Sequence, residues 1–483
     1  MRLKKKKPNI IFIVIDALRP GNLGCYGYTK PISQNIDKLS EEGLLFKHAY
    51  SCTNATDPSL TSIFSGKFCR SHGIMKHGAS LQSDEVQAFL KSTRTLPEIL
   101  KLNGYRTYAI DWLGRWHAKG YDYYSGILKT VGQWGRERLT YGQTREYAMN
   151  LAETRFFKRF SSLKSKIPTF LKQPNITPRT ETYGDATAVT QKAKEIIGEN
   201  LDQSFFLFLH YWDTHFPYNS LASIKEKPRK LDRNDREQLQ RVKNKDKRKQ
   251  IKLLGSVKRV LGMYDESIAF VDQEIGHLIE TLRQKGILEN TLIILTADHG
   301  ESLTEHDIHF DHHGLYDETI HVPLIIKYAE LPRAKAVKGF VQHVDIIPTI
   351  LGILDIKGGL EYDGESLLPL IYEDKQLRSM IYAEETHTQR KQMIATHKLK
   401  YIRAQSEQDA VCKYCGEVHG GGIEELYDLE KDPGETKNVV AEHPGEAAKL
   451  EKKLSEWISN TESNRKRAMI RGRISLLKRQ QKI

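Results

Sequence analysis

The amino-acid sequence predicts an α/β protein: a mostly parallel central sheet with helices on both faces, followed by a small C-terminal α+β subdomain. Two observations carry this expectation. Short apolar, β-branched runs such as residues 10–15 (IIFIVI) and 291–297 (TLIILTA) end abruptly in polar residues, as strands buried on both faces of a parallel sheet do. Between such runs lie stretches of helical periodicity closed by glycine, so that strand and helix signals alternate. From about residue 379 the pattern changes to short strand signals, and a chain of 483 residues is long enough to divide.

In chain order, residues 10–15 read as the first strand, ending at Asp16, and 36–42 as a helix stopped by Gly43. Thr56-Asp57-Pro58 opens a helix over 59–65 that Gly66 stops. Proline is favoured at the first helical position, and Asp57 is placed to cap the free amides there. A helix over 97–102, stopped by Gly104, leads into a strand over 105–110. Helix 186–197, strand 205–209, helix 264–283, strand 292–295 and strand 322–327 continue the alternation. Residues 382–384, 392–396 and 400–403 read as short antiparallel strands, and 444–459 as a helix. The expected division is a main domain over 1–378 with basic insertions near 143–180 and 219–257, a subdomain over 379–460 with an antiparallel sheet, and a basic tail over 461–483.

Hydrophobic content of 39% and charged content of 28% are those of an ordinary soluble protein, and no run reaches the length of a membrane span. Four lysines at 4–7 precede an apolar run, as in a signal peptide. That run is only six residues long before Asp16 and no small-residue cleavage site follows it, so it reads as a strand and the expected location is cytoplasmic. The net charge of +13 is uneven: residues 225–252 hold 13 Lys/Arg against five acids, and 465–482 hold eight against none. Within 155–172, Phe156, Phe157, Phe160, Leu163 and Ile167 recur at helical spacing among basic residues. Such a helix either lies on an anionic membrane surface, making the protein a peripheral membrane one, or packs on the core. Nucleic acid is not an expected partner, since no interleaved aromatic or groove-reading motif accompanies the charge. Nothing in the pattern specifies an oligomeric state.

Of five cysteines, Cys25, Cys52 and Cys69 are isolated, whereas Cys412-x-x-Cys415 with His419 close by has the spacing of half a zinc site. A second pair is absent, which excludes an intramolecular four-cysteine site. Three readings stay open: a structural zinc on Cys412, Cys415 and His419 completed by an outside ligand, a redox pair, or two plain thiols.

The chemistry-bearing residues lie elsewhere. Asp16 and Asp298-His299 each follow a buried strand, at the carboxyl end where open α/β sheets place their sites. Thr56 stands at a helix N-terminus, whose positive end stabilises an anion or a nucleophilic oxygen. Two carboxylates, an imidazole and a hydroxyl make an oxygen- and nitrogen-rich cage for a divalent cation.

Asp16 with Leu18-Arg19-Pro20 and Leu23-Gly24-Cys25-Tyr26-Gly27, then Thr56-x-Pro58-Ser59, then Asp298-His299-Gly300, resembles the sulfatase family of the alkaline phosphatase superfamily. Gly104-Tyr105-Arg106-Thr107 leading to Arg115-Trp116-His117, Asp213-Thr214-His215-Phe216-Pro217-Tyr218, His313-Gly314 before Val322-Pro323-Leu324, Asp363-Gly364-x-Ser366-Leu367 and Leu426-Tyr427-Asp428-Leu429-x-x-Asp432-Pro433 extend the likeness over about residues 8 to 440. The resemblance implies an ester hydrolase or transferase on that family's α/β fold.

Three departures bear on its chemistry. Sulfatases carry at the Thr56 position a cysteine or serine that is oxidised to formylglycine, and threonine cannot give that aldehyde by the same route. The arginine expected at Leu60 is missing, and the second carboxylate of the usual Asp-Asp pair is Ala17. A single Asp, a Thr nucleophile and Asp298-His299-Gly300-Glu301-Ser302 are what a resemblance to the phosphodiesterase and phosphoethanolamine-transferase branches implies.

The expected mechanism is therefore metal-dependent attack by Thr56 on an anionic phosphate or sulfate ester, through a covalent intermediate that water or an acceptor alcohol releases. Asp16, Asp298, His299 and the Thr56 hydroxyl are the expected metal ligands, with Mn, Mg, Ca and Zn not distinguished. Arg115 is expected to bind two non-bridging oxygens, and His117 and His215 to bind the anion or protonate the leaving oxygen. His313 is expected at metal or substrate, with Asp213, His215 and His313 as candidates for a second ion. Two alternatives stand beside this reading: a sulfuric ester hydrolase working without formylglycine, and a non-catalytic membrane- or polyanion-binding protein on the same fold.

Overall fold

Residues 7–78, 83–125, 185–200, 202–218, 231–357, 361–419 and 422–480 are described by the computed structural model. Eight strands form the main sheet: β1 (Asn9–Ile15), β2 (Leu44–Tyr50), β3 (Arg106–Ile110), β4 (Tyr123–Ser125), β5 (Phe205–Tyr211), β6 (Thr291–Thr296), β7 (His321–Lys327) and β8 (Lys335–Gln342). Their order is β4-β3-β5-β1-β6-β7-β2-β8. All neighbours pair in parallel except β7, which runs antiparallel to both β6 and β2. The central strands β1, β5 and β6 are buried along their whole length, which is why their sequences are continuous apolar runs rather than alternating ones. Register fixes the site: Ile15 is level with Tyr211, and Val14 with Thr296, so the residues just beyond β1, β5 and β6 emerge side by side.

The helices bear out the glycine stops. Helix α1 (Gln34–Glu41) ends just before Gly43, and α2 (Thr56–Ser65) ends on Gly66 in the left-handed conformation, φ 65°, which costs glycine nothing. The helix Leu96–Leu102 starts with a capping box between Thr95 and Glu98. The helix Val257–Gln284, seven residues longer at its N-terminus than its periodicity suggests, packs against Ala186–Glu199 and α1. Asp57 is not the cap of α2: the capping position is Ala55, and the Asp57 carboxylate is turned to other partners.

A second sheet, antiparallel throughout, has the order β12-β11-β10-β9 from β9 (Ile381–Glu385), β10 (Lys391–Ala395), β11 (Leu399–Ala404) and β12 (Glu424–Asp428). Tyr50, Tyr316, Ile320 and Phe340 of the main part pack against Ile381, Met393, Ile402 and Tyr427, joining the two sheets through a common apolar seam. The final helix spans Pro444–Gln480, so residues 461–480 continue a helix rather than form a separate tail. Ala447, Leu450 and Leu454 of that helix cover Ile394, Tyr401 and Leu426. Its Trp457 meets Phe68 edge-on at 5.1 Å, and Arg70 pairs with Glu462 at 2.6 Å.

Of the basic insertions, the one near 143–180, with the segment 155–172, lies outside the described residues. The second contributes the helices Arg233–Arg241 and Lys245–Leu254. Leu239, Val242 and Ile251 are buried in the main core, and Lys247 donates to the Phe310 carbonyl. Among the described residues, no helix is long and apolar enough to cross a membrane.

Candidate active site

Three strand ends and one helix N-terminus meet at one buried point. Asp16 follows β1, Asp298 follows β6 by two residues, His210 lies near the end of β5, and Thr56 opens α2. The Thr56 hydroxyl is 3.3 Å from His299 Nε2. His299 Nε2 is in turn 3.4 Å from Asp298 Oδ2 and 3.7 Å from Asp16 Oδ1. His210 Nε2 lies 3.5 Å from Asp16 Oδ2.

The hydrogen-bond accounting here is incomplete in a specific way. Both carboxylate oxygens of Asp16, Oδ2 of Asp298 and Nε2 of His210 are buried without a hydrogen-bond partner. Buried polar atoms are nearly always paired, and four orphans converging on one point indicate that something belongs between them. His210 donates from Nδ1 to Asp111 Oδ1 at 2.8 Å, so its Nε2 offers a lone pair to the Asp16 carboxylate unless a proton or a cation intervenes. Burial disfavours a charged His210, yet the hydrogen bond to Asp111 and the negative charges of Asp111 and Asp16 outweigh it and raise its pKa to about 10. A histidine bonded to a carboxylate behind it and presenting its other nitrogen to acidic oxygens is the arrangement of a metal ligand. Asp16, His210 and Asp298 have donor atoms within 4.8 Å of one another, and their chemistry fits a divalent cation.

His299 is held in one tautomer. Its Nδ1–H donates to the Gly300 carbonyl at 2.8 Å, which leaves Nε2 as an acceptor facing Thr56, and burial lowers its pKa to about 4. The backbone turns sharply here: a Cβ on Gly300 would fall 2.1 Å from the Glu318 carbonyl oxygen. Asp298 Oδ1 is fixed by the amides of Ala17 (3.2 Å) and His299 (2.8 Å), so only Oδ2 points into the site. Ala17 itself stands at φ 57° and puts a methyl where the family's second carboxylate would be.

Around this centre lies a rim of histidines. His312 stacks on His299 at 4.3 Å, His387 lies parallel to His312 at 6.3 Å, and His77 meets His387 edge-on at 5.0 Å. Burial drives His312 and His387 well below the ordinary imidazole range, so these rings face the site neutral.

Several expected roles are redistributed. Arg115 and His117 both engage the Asp57 carboxylate. Arg115 Nη2 donates to both Asp57 Oδ1 and Oδ2, at 2.7 and 2.9 Å, Arg115 Nη1 reaches the Gly78 carbonyl at 3.5 Å, and His117 Nε2 is 3.0 Å from Oδ1. Gly78 donates its amide to Oδ2 and His77 lies 3.1 Å from it. Burial pushes the Asp57 pKa up, but His77, Arg115 and His117 together hold it well below the carboxylate range. An internal carboxylate thus occupies Nη2 of Arg115 and Nε2 of His117, part of the donor set expected for an external anion.

His215 donates from Nδ1 to the Phe216 carbonyl at 2.8 Å and stacks on Trp212 at 4.3 Å. His313 is turned away from Thr56: its Nε2 is 2.9 Å from Asp311 Oδ1 and its Nδ1 is 3.6 Å from Cys412 Sγ. Asp213 is buried. Among the described residues, Asp213, His215 and His313 do not come together as a ligand group, because His313 is committed to Asp311 and Cys412. Cys415 Sγ and His419 Nε2 do meet, at 3.1 Å.

A fold of this topology, with a buried threonine at a helix N-terminus beside a carboxylate–imidazole cluster, is that of an ester hydrolase of the alkaline phosphatase type. The chain belongs to the sulfatase family: the Sulfatase family model matches residues 8–356, and the model for the C-terminal part of N-sulphoglucosamine sulphohydrolase matches residues 304–464. It is 24% identical to an N-acetylglucosamine-6-O-sulfatase of Bacteroides thetaiotaomicron, over 95% of this chain and 87% of that protein. It is 26% identical to the uncharacterized sulfatase YidJ of Escherichia coli K12, over 75% of this chain and 71% of that one. Among solved structures, the phosphonate monoester hydrolase of Agrobacterium radiobacter superposes with a TM-score of 0.66 at 19% identity, covering 94% of this chain and 96% of that one.

Proposed function

We propose that this sulfatase-family hydrolase cleaves phosphate-type esters through Thr56, by way of a covalent phosphothreonine. The observation that carries the reading is the Thr56 hydroxyl, at the N-terminus of α2 and 3.3 Å from the acceptor nitrogen of a neutral His299, beside four orphaned ligand atoms. A divalent cation held by Asp16, Asp298 and His210, with His299, expected as a further ligand, keeping its Nε2 for Thr56, would supply positive charge that favours an ionised hydroxyl and screens an anionic ester. The remaining steps belong to the chain. His299 Nε2 takes the hydrogen bond of the Thr56 hydroxyl and orients it. The Thr56 oxygen forms a bond to phosphorus as the bond to the leaving alcohol breaks, and that alcohol departs with a proton. Water, or an acceptor alcohol, then attacks phosphorus and returns the hydroxyl to Thr56. His215, beside the same histidine cluster (its ring 5.8 Å from His312), is the proposed proton donor to the leaving oxygen. The N–H groups of Arg115 that Asp57 does not take bind the ester oxygens, while Nη2 of Arg115 and His117 hold Asp57 in place. His313 has no part in this step.

Phosphorus is favoured over sulfur by the identity of residue 56. A formylglycine hydrate carries a second hydroxyl on the same carbon, which can expel a bound sulfate by breaking the carbon–oxygen bond. Threonine has none, so release requires a second attack at the transferred centre, a course open to a phosphoryl group. Sulfuric ester hydrolysis is the second reading, supported by the sulfatase names of the family models and relatives; a sulfated sugar is then the substrate class.

The test is turnover of aryl phosphate monoester, diester, phosphonate and sulfate substrates with Mn²⁺, Mg²⁺, Ca²⁺ or Zn²⁺ added. Acid-quenched enzyme is then searched by mass spectrometry for a phosphoryl adduct on the peptide carrying Thr56. Thr56→Ala should abolish turnover and the adduct, while Thr56→Ser keeps part of both. A Thr56→Ala variant that retains wild-type rates with its metal complement intact would rule the mechanism out.

A further inference from the structure

Outside the candidate active site, one cluster gathers soft ligands: Cys412, Cys415, His419 and His313. The sequence supplies the first three within eight residues. The fold supplies the fourth from a loop about a hundred positions earlier. We propose that these four residues bind a structural zinc ion, with His313 as the ligand that ties the C-terminal sheet to the active-site loop.

The local backbone is shaped for it. Val411 and Val418 form an antiparallel bridge, the Cys412 amide donates to the Glu417 carbonyl, and the Gly416 amide donates to the Cys412 carbonyl. The two thiols therefore sit at the tip of a tight hairpin. Gly416, at φ 74°, makes the turn that a residue with a side chain would take only under strain.

The separations suit the metal. A tetrahedral ion with Zn–S of about 2.3 Å and Zn–N of about 2.0 Å holds sulfur and nitrogen about 3.5 Å apart. Cys412 Sγ to His313 Nδ1 is 3.6 Å, and Cys415 Sγ to His419 Nε2 is 3.1 Å. His313, Cys412 and His419 bring donor atoms within 4.8 Å of one another, all three residues being buried.

Supporting contacts are in place behind the ligands. His313 turns its other nitrogen to Asp311 Oδ1 at 2.9 Å, the carboxylate partner that fixes tautomer and orientation in metal-bound histidines. Asp311 is itself paired with Lys247 at 3.3 Å. Lys391 donates to the His419 carbonyl at 3.1 Å. Two thiolates and two neutral imidazoles balance the charge of Zn²⁺, the thiol protons passing to solvent on binding.

The position gives the ion a role beyond the C-terminal sheet. His313 follows His312, whose ring stacks on His299, and Asn54, two residues before Thr56, donates to the carbonyls of His312 and Gly314. Zinc on His313 therefore pins the loop that packs against the Thr56 region.

The proposal is independent of the reaction assigned to Thr56, and its test separates the two sites. The full chain, purified under reducing conditions from zinc-supplemented cells, should hold dialysis-resistant zinc of which one per molecule is released to a chromogenic indicator by a mercurial reagent. Asp298→Asn, which alters only the carboxylate site, should keep this zinc. Cys415→Ser, at a half-buried position suited to a folded variant, should lose it, and His313→Asn should release it to a competing chelator at least about tenfold faster. Cobalt loaded in its place should show a thiolate-to-metal charge-transfer band that Cys415→Ser reduces. Recovery of a zinc-free protein with Cys412 and Cys415 joined in a disulfide would overturn the site, as would absence of the cobalt band. Unchanged zinc release in His313→Asn would overturn the assignment of the fourth ligand.

Discussion

Asp111 offers a way to disturb the carboxylate site without touching any residue placed to contact the ion or the ester. It stands directly after β3 and accepts the Nδ1–H of His210 at 2.8 Å, while Trp112 and Leu113 donate their amides to the same oxygen at 2.7 and 3.3 Å and Tyr124 bonds the other. Asp111→Asn keeps the shape and an acceptor oxygen but removes the charge that raises the basicity of His210. Loss of such a supporting carboxylate typically weakens metal binding 10–100-fold, or about 1.4–2.7 kcal/mol. His210→Ala removes the donor nitrogen itself and should cost at least as much. Because the amides of Trp112 and Leu113 remain as partners at position 111, both variants should fold, with cooperative melting. The assay is isothermal titration of chelator-stripped enzyme with Mn²⁺, an ion that the thiolate cluster at Cys412 binds poorly, alongside metal analysis. If Mn²⁺ binds both variants as tightly as wild type, His210 is not a ligand and the orphaned atoms around Asp16 need another explanation.

Two further outcomes follow from the structure and one from the sequence. The depressed pKa of Asp57 contributes stability that is present above the ordinary carboxylate value of about 3.9 and is lost as pH falls through that value towards the folded-state one. Asp57→Asn should therefore unfold more easily than wild type in urea at pH 7, and the gap should narrow below about pH 4; a gap independent of pH would show that the Arg115–Asp57–His117 cluster contributes no charge-based stability. Arg115→Lys keeps the charge but not the fork, so it should weaken anion binding by roughly 1.5–3 kcal/mol if the guanidinium is shared with substrate, and wild-type KM and kcat would mean that Arg115 serves Asp57 alone. The basic, aromatic segment 155–172 should bind anionic liposomes at low salt, each Lys or Arg contributing about 1 kcal/mol, with serine at Phe156, Phe157 and Phe160 reducing whatever resists salt; absence of sedimentation at low salt would refute a membrane role.

Much of the fold was legible because the strongest signals are physical necessities. A strand buried on both faces must be apolar throughout, and β1, β5 and β6 are; glycine in the left-handed conformation must stop α2, and Gly66 does. The direction of β7 was not legible, since an apolar run carries no sign of which way it pairs. The same rule that finds Asp16 and Asp298, a polar residue at the carboxyl end of a buried strand, points also to Asp111 after β3 and His210 in β5. His210 escaped because the apolar run was ended at Leu209, short of the observed strand end at Tyr211. Asp57 was read from its helix position alone, and a local pattern cannot show that Arg115, His117 and His77 converge on it from distant loops. The surroundings of His313 were not legible for the same reason: its partners Cys412 and Asp311 depend on how the C-terminal sheet docks.

The proposed ligand set differs in kind from one built on paired aspartates, and this bears on which ion it would take. Ala17 offers no carboxylate at the end of β1, while His210 brings a nitrogen from the neighbouring strand β5. Carboxylate-rich sites suit Ca²⁺ and Mg²⁺, whereas imidazole favours Zn²⁺ and other transition metals. A centre of two carboxylates and an imidazole should therefore retain Zn²⁺ or Mn²⁺ against an excess of Ca²⁺. Ala17→Asp should reverse that preference by restoring the missing oxygen donor. The backbone allows the change, because Ala17 already sits at φ 57°, a conformation that aspartate tolerates better than most residues. Competition of Ca²⁺ against Mn²⁺ for stripped wild type and Ala17→Asp reads the result directly. A wild-type protein that prefers Ca²⁺, with no shift in the variant, would mean that His210 stays off the ion and that its bond to Asp111 serves the sheet alone.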